Sequence, residues 1–154
     1  MYRSLTEKEI KTLELRGCIA EDWTKIEVND PFIAGKLSNV KFRGKIRLGT
    51  NSGLTKFNEL ISKPSGITNC FIQDSDIGND VYLSDIEILA NYKIGNGSFI
   101  SNTGTIAVFG STAFGNGHEI NVLNENGGRE LPISDRLSAQ IASVSYTHLT
   151  LPTN

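Results

Sequence analysis

The chain has 154 residues, 38% hydrophobic and 21% charged, with 15 glycines and 4 prolines, which is the make-up of one globular domain or a piece of one. A formal charge of −2 and a pI near 5.7 exclude a general nucleic-acid binder, which carries a basic excess. No stretch reaches the roughly 18 apolar residues of a membrane span, and the charged start MYRSLTEKEI lacks the apolar core of a secretory signal, so the expected protein is cytoplasmic and needs neither membrane nor nucleic acid.

Residues 3–17 read as a short helix. Thr6 and Glu9 have capping-box spacing, and Leu5 and Ile10 flank Thr6 as a hydrophobic staple. Leu13 follows Ile10 at i+3, and Gly17 suits the C′ stop. Trp23, Ile26 and Val28 come next as anchors. Residues 1–29 therefore read as a cap over the first strands of the fold, whose edges would otherwise be open to pairing. Cys18 and Cys70, the only cysteines, are too far apart for a metal motif and are expected free and reduced.

Residues 30–110 are expected to form the body. Phe32, Leu37, Val40, Phe42, Ile46 and Leu48 are candidate inward positions, with Asn39 and Gly44 suited to corners. Arg43, Lys45 and Arg47 alternate with Phe42, Gly44, Ile46 and Leu48. That strip reads as a solvated outer face, with a phosphate-binding strip as the alternative. Residues 50–66 break the rhythm with Asn51-Ser52-Gly53 and Pro64-Ser65-Gly66, both turn signals. Between them Leu54, Phe57, Leu60 and Ile61 fit one or two helical turns in an inserted loop.

From Ile67 to Ile106 aliphatic residues return about every sixth position, at Ile77, Leu83, Leu89, Ile94, Ile100 and Ile106. Two carry the same tail, Ile77-Gly78-Asn79-Asp80 and Ile94-Gly95-Asn96-Gly97. Neither a helix nor a flat strand has this period, and a hexad with glycine after the aliphatic points to a parallel β-helix. Asn69, Asp74, Asn79, Asn91, Asn96 and Asn102 fit corner or ladder roles. The fold class is thus mainly β, a single-stranded left-handed parallel β-helix of hexapeptide repeats with a short N-terminal capping helix. An antiparallel sandwich, with Asn96-Gly97 and Asn116-Gly117 as hairpin turns, is the competing architecture.

Residues 111–143 are expected to hold a glycine-rich polar loop and the start of a cut-off C-terminal helix. That helix has Ser134 or Asp135 at its N-cap and Leu137 and Ile141 on one face. The loop gathers the candidate site: Asn116, Gly117, His118, Glu119, Asn124, Glu125, Gly127, Gly128, Arg129 and Glu130. Glycine lets backbone N–H groups approach a ligand. Arg129 can hold a carboxylate or phosphate with two parallel bonds, and His118 can act as a general base. The catalytic candidates are His118, Glu125 and Arg129. A glycine-rich crossover in which Arg129 merely pairs with a neighbouring glutamate fits the same residues. No metal site and no cofactor is expected. Val144–Thr153, VSYTHLTLPT, resembles a translated sequencing-library adapter, so residues 144–154 are expected to be non-native and the chain a fragment; a genuine short strand is the other reading.

LTEKEI, LELRGCIAEDW, IGND, ANYKIGNG and the run FGNGHEINVLNENGGRELPISDRLSAQIA together resemble the opening part of a long, uncharacterised bacterial family. That family is a domain of unknown function assigned to the trimeric, hexapeptide-transferase-like left-handed β-helix superfamily. The resemblance covers about residues 3–142. It implies the β-helix, a homo-oligomer (a trimer in the superfamily's form), and relatives that transfer acyl or nucleotidyl groups on sugars, but it supplies no catalytic residue. The functional expectation is a scaffold that binds a sugar-nucleotide or other phosphorylated small-molecule metabolite, as part of a sugar-modifying group-transfer enzyme. His118 would be base, Arg129 would hold the donor and Glu125 would orient His118 or a substrate hydroxyl. The alternatives are a hexapeptide acyltransferase using acyl-CoA and a non-catalytic oligomerisation scaffold.

Overall fold

The computed structural model describes residues 1–110 and the strands 119–120 and 131–132. The chain divides into a unit Met1–Phe109 and a unit Gly110–Asn154. The first unit begins with β1 (Tyr2–Ser4) and helix α1 (Glu7–Leu15). The helix starts where the sequence places its cap: Glu9 N–H reaches Thr6 Oγ1, and the Glu9 carboxylate accepts from Thr6 N–H at 2.8 Å. It ends at Gly17, whose φ of 77° only glycine adopts without strain. The expected helix over 3–17 is corrected at its first residues, because Tyr2–Ser4 pairs antiparallel with a strand 25 residues on.

The strands that follow are β2 (Ile19–Ala20), β3 (Ile26–Asn29), β4 (Leu37–Arg43), β5 (Ile46–Leu48), β6 (Leu54–Lys56), β7 (Ser62–Pro64), β8 (Gly66–Gln73), β9 (Asp76–Ile77), β10 (Tyr82–Ala90), β11 (Lys93–Ile94) and β12 (Phe99–Ala107). They form two five-stranded sheets, in the orders β1-β3-β5-β9-β11 and β12-β10-β8-β4-β2. Apart from β1 on β3, every pairing in these two sheets is parallel. The chain alternates between the sheets, so each pass adds one strand to each. The antiparallel sandwich is thereby excluded for this unit, and Gly97 (φ 65°) links strands of different sheets rather than a hairpin.

The hexad aliphatics become columns. Leu83 pairs with Ile67 below and Ile100 above, and Ile67 pairs with Leu37. Ile72 stands between Phe42 and Leu89, and Leu89 meets Ile106. In the other sheet the column is Val28, Leu48, Ile77, Ile94. All but Ile100 and Ile106 are buried, and those two pack partly buried at the last described pass. Each full burial of such a side chain stabilises by roughly 1.5–3 kcal/mol. Steps from Ile67 to Leu83 and Leu83 to Ile100 differ by one residue. A bulge in β10 between Ile86 and Leu89 absorbs the difference, so Leu89 stays inward. Helix α1 closes the opposite end, with Leu13 and Cys18 fully covered and Leu5 packed partly buried against the core.

The insertion over 50–66 is a β-hairpin, not helical turns. Thr55 pairs with Lys63, and the Asn58 side chain caps Leu60 N–H and Ile61 N–H at 2.9 and 2.7 Å. The helical spacing of its apolar residues is misleading because they are not buried: Leu60 is 94% exposed and Phe57 59%. In the second unit β13 (Glu119–Ile120) pairs antiparallel with β14 (Leu131–Pro132).

Candidate functional site

Most polar side chains at the corners of the first unit have a structural task. Asn39, Asn69, Asp85 and Asn102 stand in one register column, all with φ between 51° and 56°. Their short polar side chains tolerate this left-handed backbone and bond along the column. Asn39 Nδ2 donates to Asn69 Oδ1 at 3.0 Å, and Asn69 Nδ2 donates to Asp85 Oδ1 at 2.8 Å. The Ser84 hydroxyl first, and then the Asn69 amide, hold the Asp85 carboxyl below the usual aspartate range. At the next corner Asp74 Oδ1 accepts from Lys45 N–H at 2.9 Å, in the space opened by Gly44. At the third, Asn79 Oδ1 accepts from Thr50 N–H at 2.9 Å. Asp80 anchors the hairpin: its Oδ1 accepts from Gly53 N–H at 2.7 Å and its carbonyl from the buried Thr55 hydroxyl at 2.7 Å.

The outer face of the first sheet carries a charged column. Glu27, Arg47, Asp76 and Lys93 are in register, with alternating sign. Arg47 lies 3.2 Å from Glu27 and 3.7 Å from Asp76, and Arg43 lies 3.6 Å from Glu21. Two of the three cations of the Arg43–Lys45–Arg47 strip are therefore paired with carboxylates. Lys45 has no ion-pair or hydrogen-bond partner for its ammonium among the described residues, and neither does Lys93. Both line an open groove of about 480 Å³ together with Arg47, Asp74, Asp76, Asn91 and Tyr92. The groove offers charge and shape, from lysine, arginine and aspartate side chains on neighbouring passes. Among the described residues no cluster of His, Cys, Asp and Glu can hold a metal ion, and no helix is long and apolar enough to cross a membrane. Cys18 and Cys70 are free and buried, and burial pushes both thiols up, away from the reactive thiolate.

The residues chosen from sequence are placed as follows. Asn116, Gly117, His118, Asn124, Glu125, Gly127, Gly128, Arg129 and Glu130 lie outside the described residues, as do the expected C-terminal helix and Val144–Thr153. Glu119 is in β13, opposite Pro132. Asp76, Tyr92 and Lys93 were not singled out in sequence. Aligning the repeats on their aliphatic residue would have found the column, since Glu27-Val28, Arg47-Leu48, Asp76-Ile77 and Lys93-Ile94 each set a charge just before it.

Comparison with known proteins adds identity without chemistry. A family model described as "Domain of unknown function (DUF4954)" matches residues 2–150. An "Uncharacterized protein" of Treponema pallidum (strain Nichols) is 29% identical over 142 residues, covering 84% of this chain and 20% of the relative. The chain thus spans about a fifth of the length of that curated relative. No solved structure matches.

Proposed function

We propose, from the premise that this chain belongs to the DUF4954 family, whose description names no reaction, that residues 1–110 are the wall of a left-handed β-helix of hexapeptide repeats. In this reading the wall supports a binding site for a phosphorylated metabolite, a sugar-nucleotide in the first instance. The observation that carries the scaffold is the division of labour in the wall. Inward columns are aliphatic, and corner amides and carboxylates are spent on the neighbouring pass. The hexad Ile-Gly-Asn pattern, with the resemblance to hexapeptide transferases, supports the left hand. The chemistry is proposed for the polar run that follows in the chain: His118 as base, Arg129 on the anionic donor, Glu125 orienting His118 or a substrate hydroxyl, in a cytoplasmic homo-oligomer, with the trimer as its form.

A purely structural role is the second reading. Every buried side-chain nitrogen and oxygen among the described residues has a hydrogen-bond partner, so the wall holds no orphaned polar group waiting for a substrate.

Thermal-shift screening of the chain and of the longer Treponema pallidum relative against sugar-nucleotides and CoA esters separates these. A rise in Tm with sugar-nucleotides that His118→Ala or Arg129→Ala abolishes, without lowering the unliganded Tm, supports the binding role. A CoA-only shift means acyl transfer, and no shift with either ligand set leaves the scaffold.

A further inference from the structure

We propose that the tip of the β6–β7 hairpin is a self-association surface, on which a second copy of this chain docks across a two-fold axis. The contact depends neither on the ligand nor on the reaction proposed above, and it adds to any assembly formed by the wall.

The hairpin presents apolar surface that the fold leaves uncovered. Leu54, Phe57, Leu60 and Ile61 are all exposed, Leu60 almost completely. A single exposed aliphatic is ordinary, but a run of them on one hairpin makes a patch, and such patches mark contacts between proteins. The patch is held in shape before anything binds. Asp80 fixes the root through Gly53 N–H and the Thr55 hydroxyl, and Asn58 caps the tip. The Phe57 ring leans on Phe99, with centroids 4.9 Å apart. A docking copy therefore meets a preformed surface, and little freedom is lost on contact.

Charge selects the occupant. The hairpin carries Lys56, Glu59 and Lys63. Lys63 is on the wall side of β7, opposite the buried Thr55, and its ammonium stands 4.9 Å from the centre of the Tyr82 ring. Lys56 and Glu59 are exposed, and neither is ion-paired among the described residues. The tip thus offers one charge of each sign beside its apolar side chains. That favours neither an anionic membrane nor a strongly acidic or basic protein. A copy of the same tip does match it. In an isologous contact the residues that meet are exchanged by the axis. With the axis between Lys56 and Glu59, each lysine faces the glutamate of the other copy, and the apolar side chains close over one another. The exposed ion pairs set the orientation, and burial of the apolar side chains supplies the affinity.

The test is analytical ultracentrifugation of the whole chain from about 5 to 500 μM, a range suited to the weak binding of a small interface. The mean mass of the parent should climb reversibly to at least about twice that of Leu60→Ser/Ile61→Ser, with the same circular dichroism for both. Lys56→Glu and Glu59→Lys should each abolish the rise, because like charges then face each other. An equimolar mixture of these two variants should restore it, as should the double variant Lys56→Glu/Glu59→Lys. A parent that keeps the mass of Leu60→Ser/Ile61→Ser throughout overturns the proposal. So do single charge variants that associate as the parent does, or a mixture of them that stays apart. A parent that does not self-associate but floats with phosphatidylserine vesicles overturns it in favour of a membrane anchor.

Discussion

The side-chain Oδ1 of Asn96 accepts a hydrogen bond from the backbone N–H of Asn79 at 2.8 Å. These are the same residue of two copies of one motif, Ile-Gly-Asn, seventeen positions apart. Asn79 in turn does for Thr50 what Asn96 does for Asn79, at 2.9 Å. The motif is therefore a device for joining passes: the aliphatic fills the column, the glycine leaves room, and the asparagine bonds back to the pass before it.

Asn96→Ala should remove the acceptor of Asn79 N–H and lower unfolding free energy by about 1–2 kcal/mol, measured by urea denaturation. Asn96→Asp keeps an acceptor oxygen and should recover most of the loss. Equal losses for both variants would mean that the amide, and not the bond, matters.

Gly78→Ala should be worse. A Cβ there would meet Asn96 Oδ1 at 2.6 Å and the Asn96 nitrogen at 2.7 Å, a clash with backbone that cannot swing away. About 2–3 kcal/mol of destabilisation is expected, in the range of overpacked cores. Gly35→Ala, with nothing within 4 Å of the new atom, should be neutral within about 0.5 kcal/mol. A neutral Gly78→Ala would refute the close approach of these two passes.

Asp80 ties the hairpin to the wall. Asp80→Ala should free Gly53 N–H and strain a backbone with φ of 50°, costing about 2 kcal/mol. It should also make Lys56 in the hairpin a quick target for trypsin in the native state. Asp80→Asn should restore most of both. Unchanged cleavage in Asp80→Ala would show that Phe57 against Phe99 (ring centroids 4.9 Å apart) is enough to hold it.

How far the sequence alone reaches depends on whether a feature is local. Asn39, Asn69, Asp74, Asn91 and Asn102 were legible as corners because the short polar side chains of asparagine and aspartate tolerate left-handed backbone. Asp80 and Asp85 adopt the same conformation but were not singled out in sequence. Tyr2–Ser4 was hidden because its partner strand is distant in sequence. Leu54, Phe57, Leu60 and Ile61 misled because helical spacing implies a helix only when one face is buried, and they are exposed. The Glu27, Arg47, Asp76 and Lys93 column was missed because register, not sequence proximity, brings those residues together, and only an alignment of the repeats on their aliphatic residue brings it out.

The N-terminal clamp should give the fold an acid limit. Arg3 bonds to both Glu9 oxygens at 2.8–2.9 Å and to both Asp30 oxygens at 2.7–2.8 Å. The Arg3 guanidinium, helped by the Thr6 cap and opposed by burial, lowers the Glu9 carboxyl to about 2. Because the folded pKa lies below the unfolded one, the stabilisation is complete above about pH 4.5 and is lost as pH falls toward 2. Arg3→Met should cost about 1–2 kcal/mol at pH 7, discounted for partial exposure, and should flatten the dependence between pH 4.5 and 2. A parallel fall in both proteins would assign the acid limit to other carboxylates.

The parallel stacking of passes is the claim on which all else rests, and through-space NMR contacts in a uniformly labelled chain measure it directly. Leu83 should show sequential-offset Hα–HN contacts to the Ile67 and Ile100 strands on its two sides, as parallel register requires. Strong Hα–Hα contacts between β8 and β10, or between β10 and β12, would mean antiparallel neighbours and would contradict the architecture.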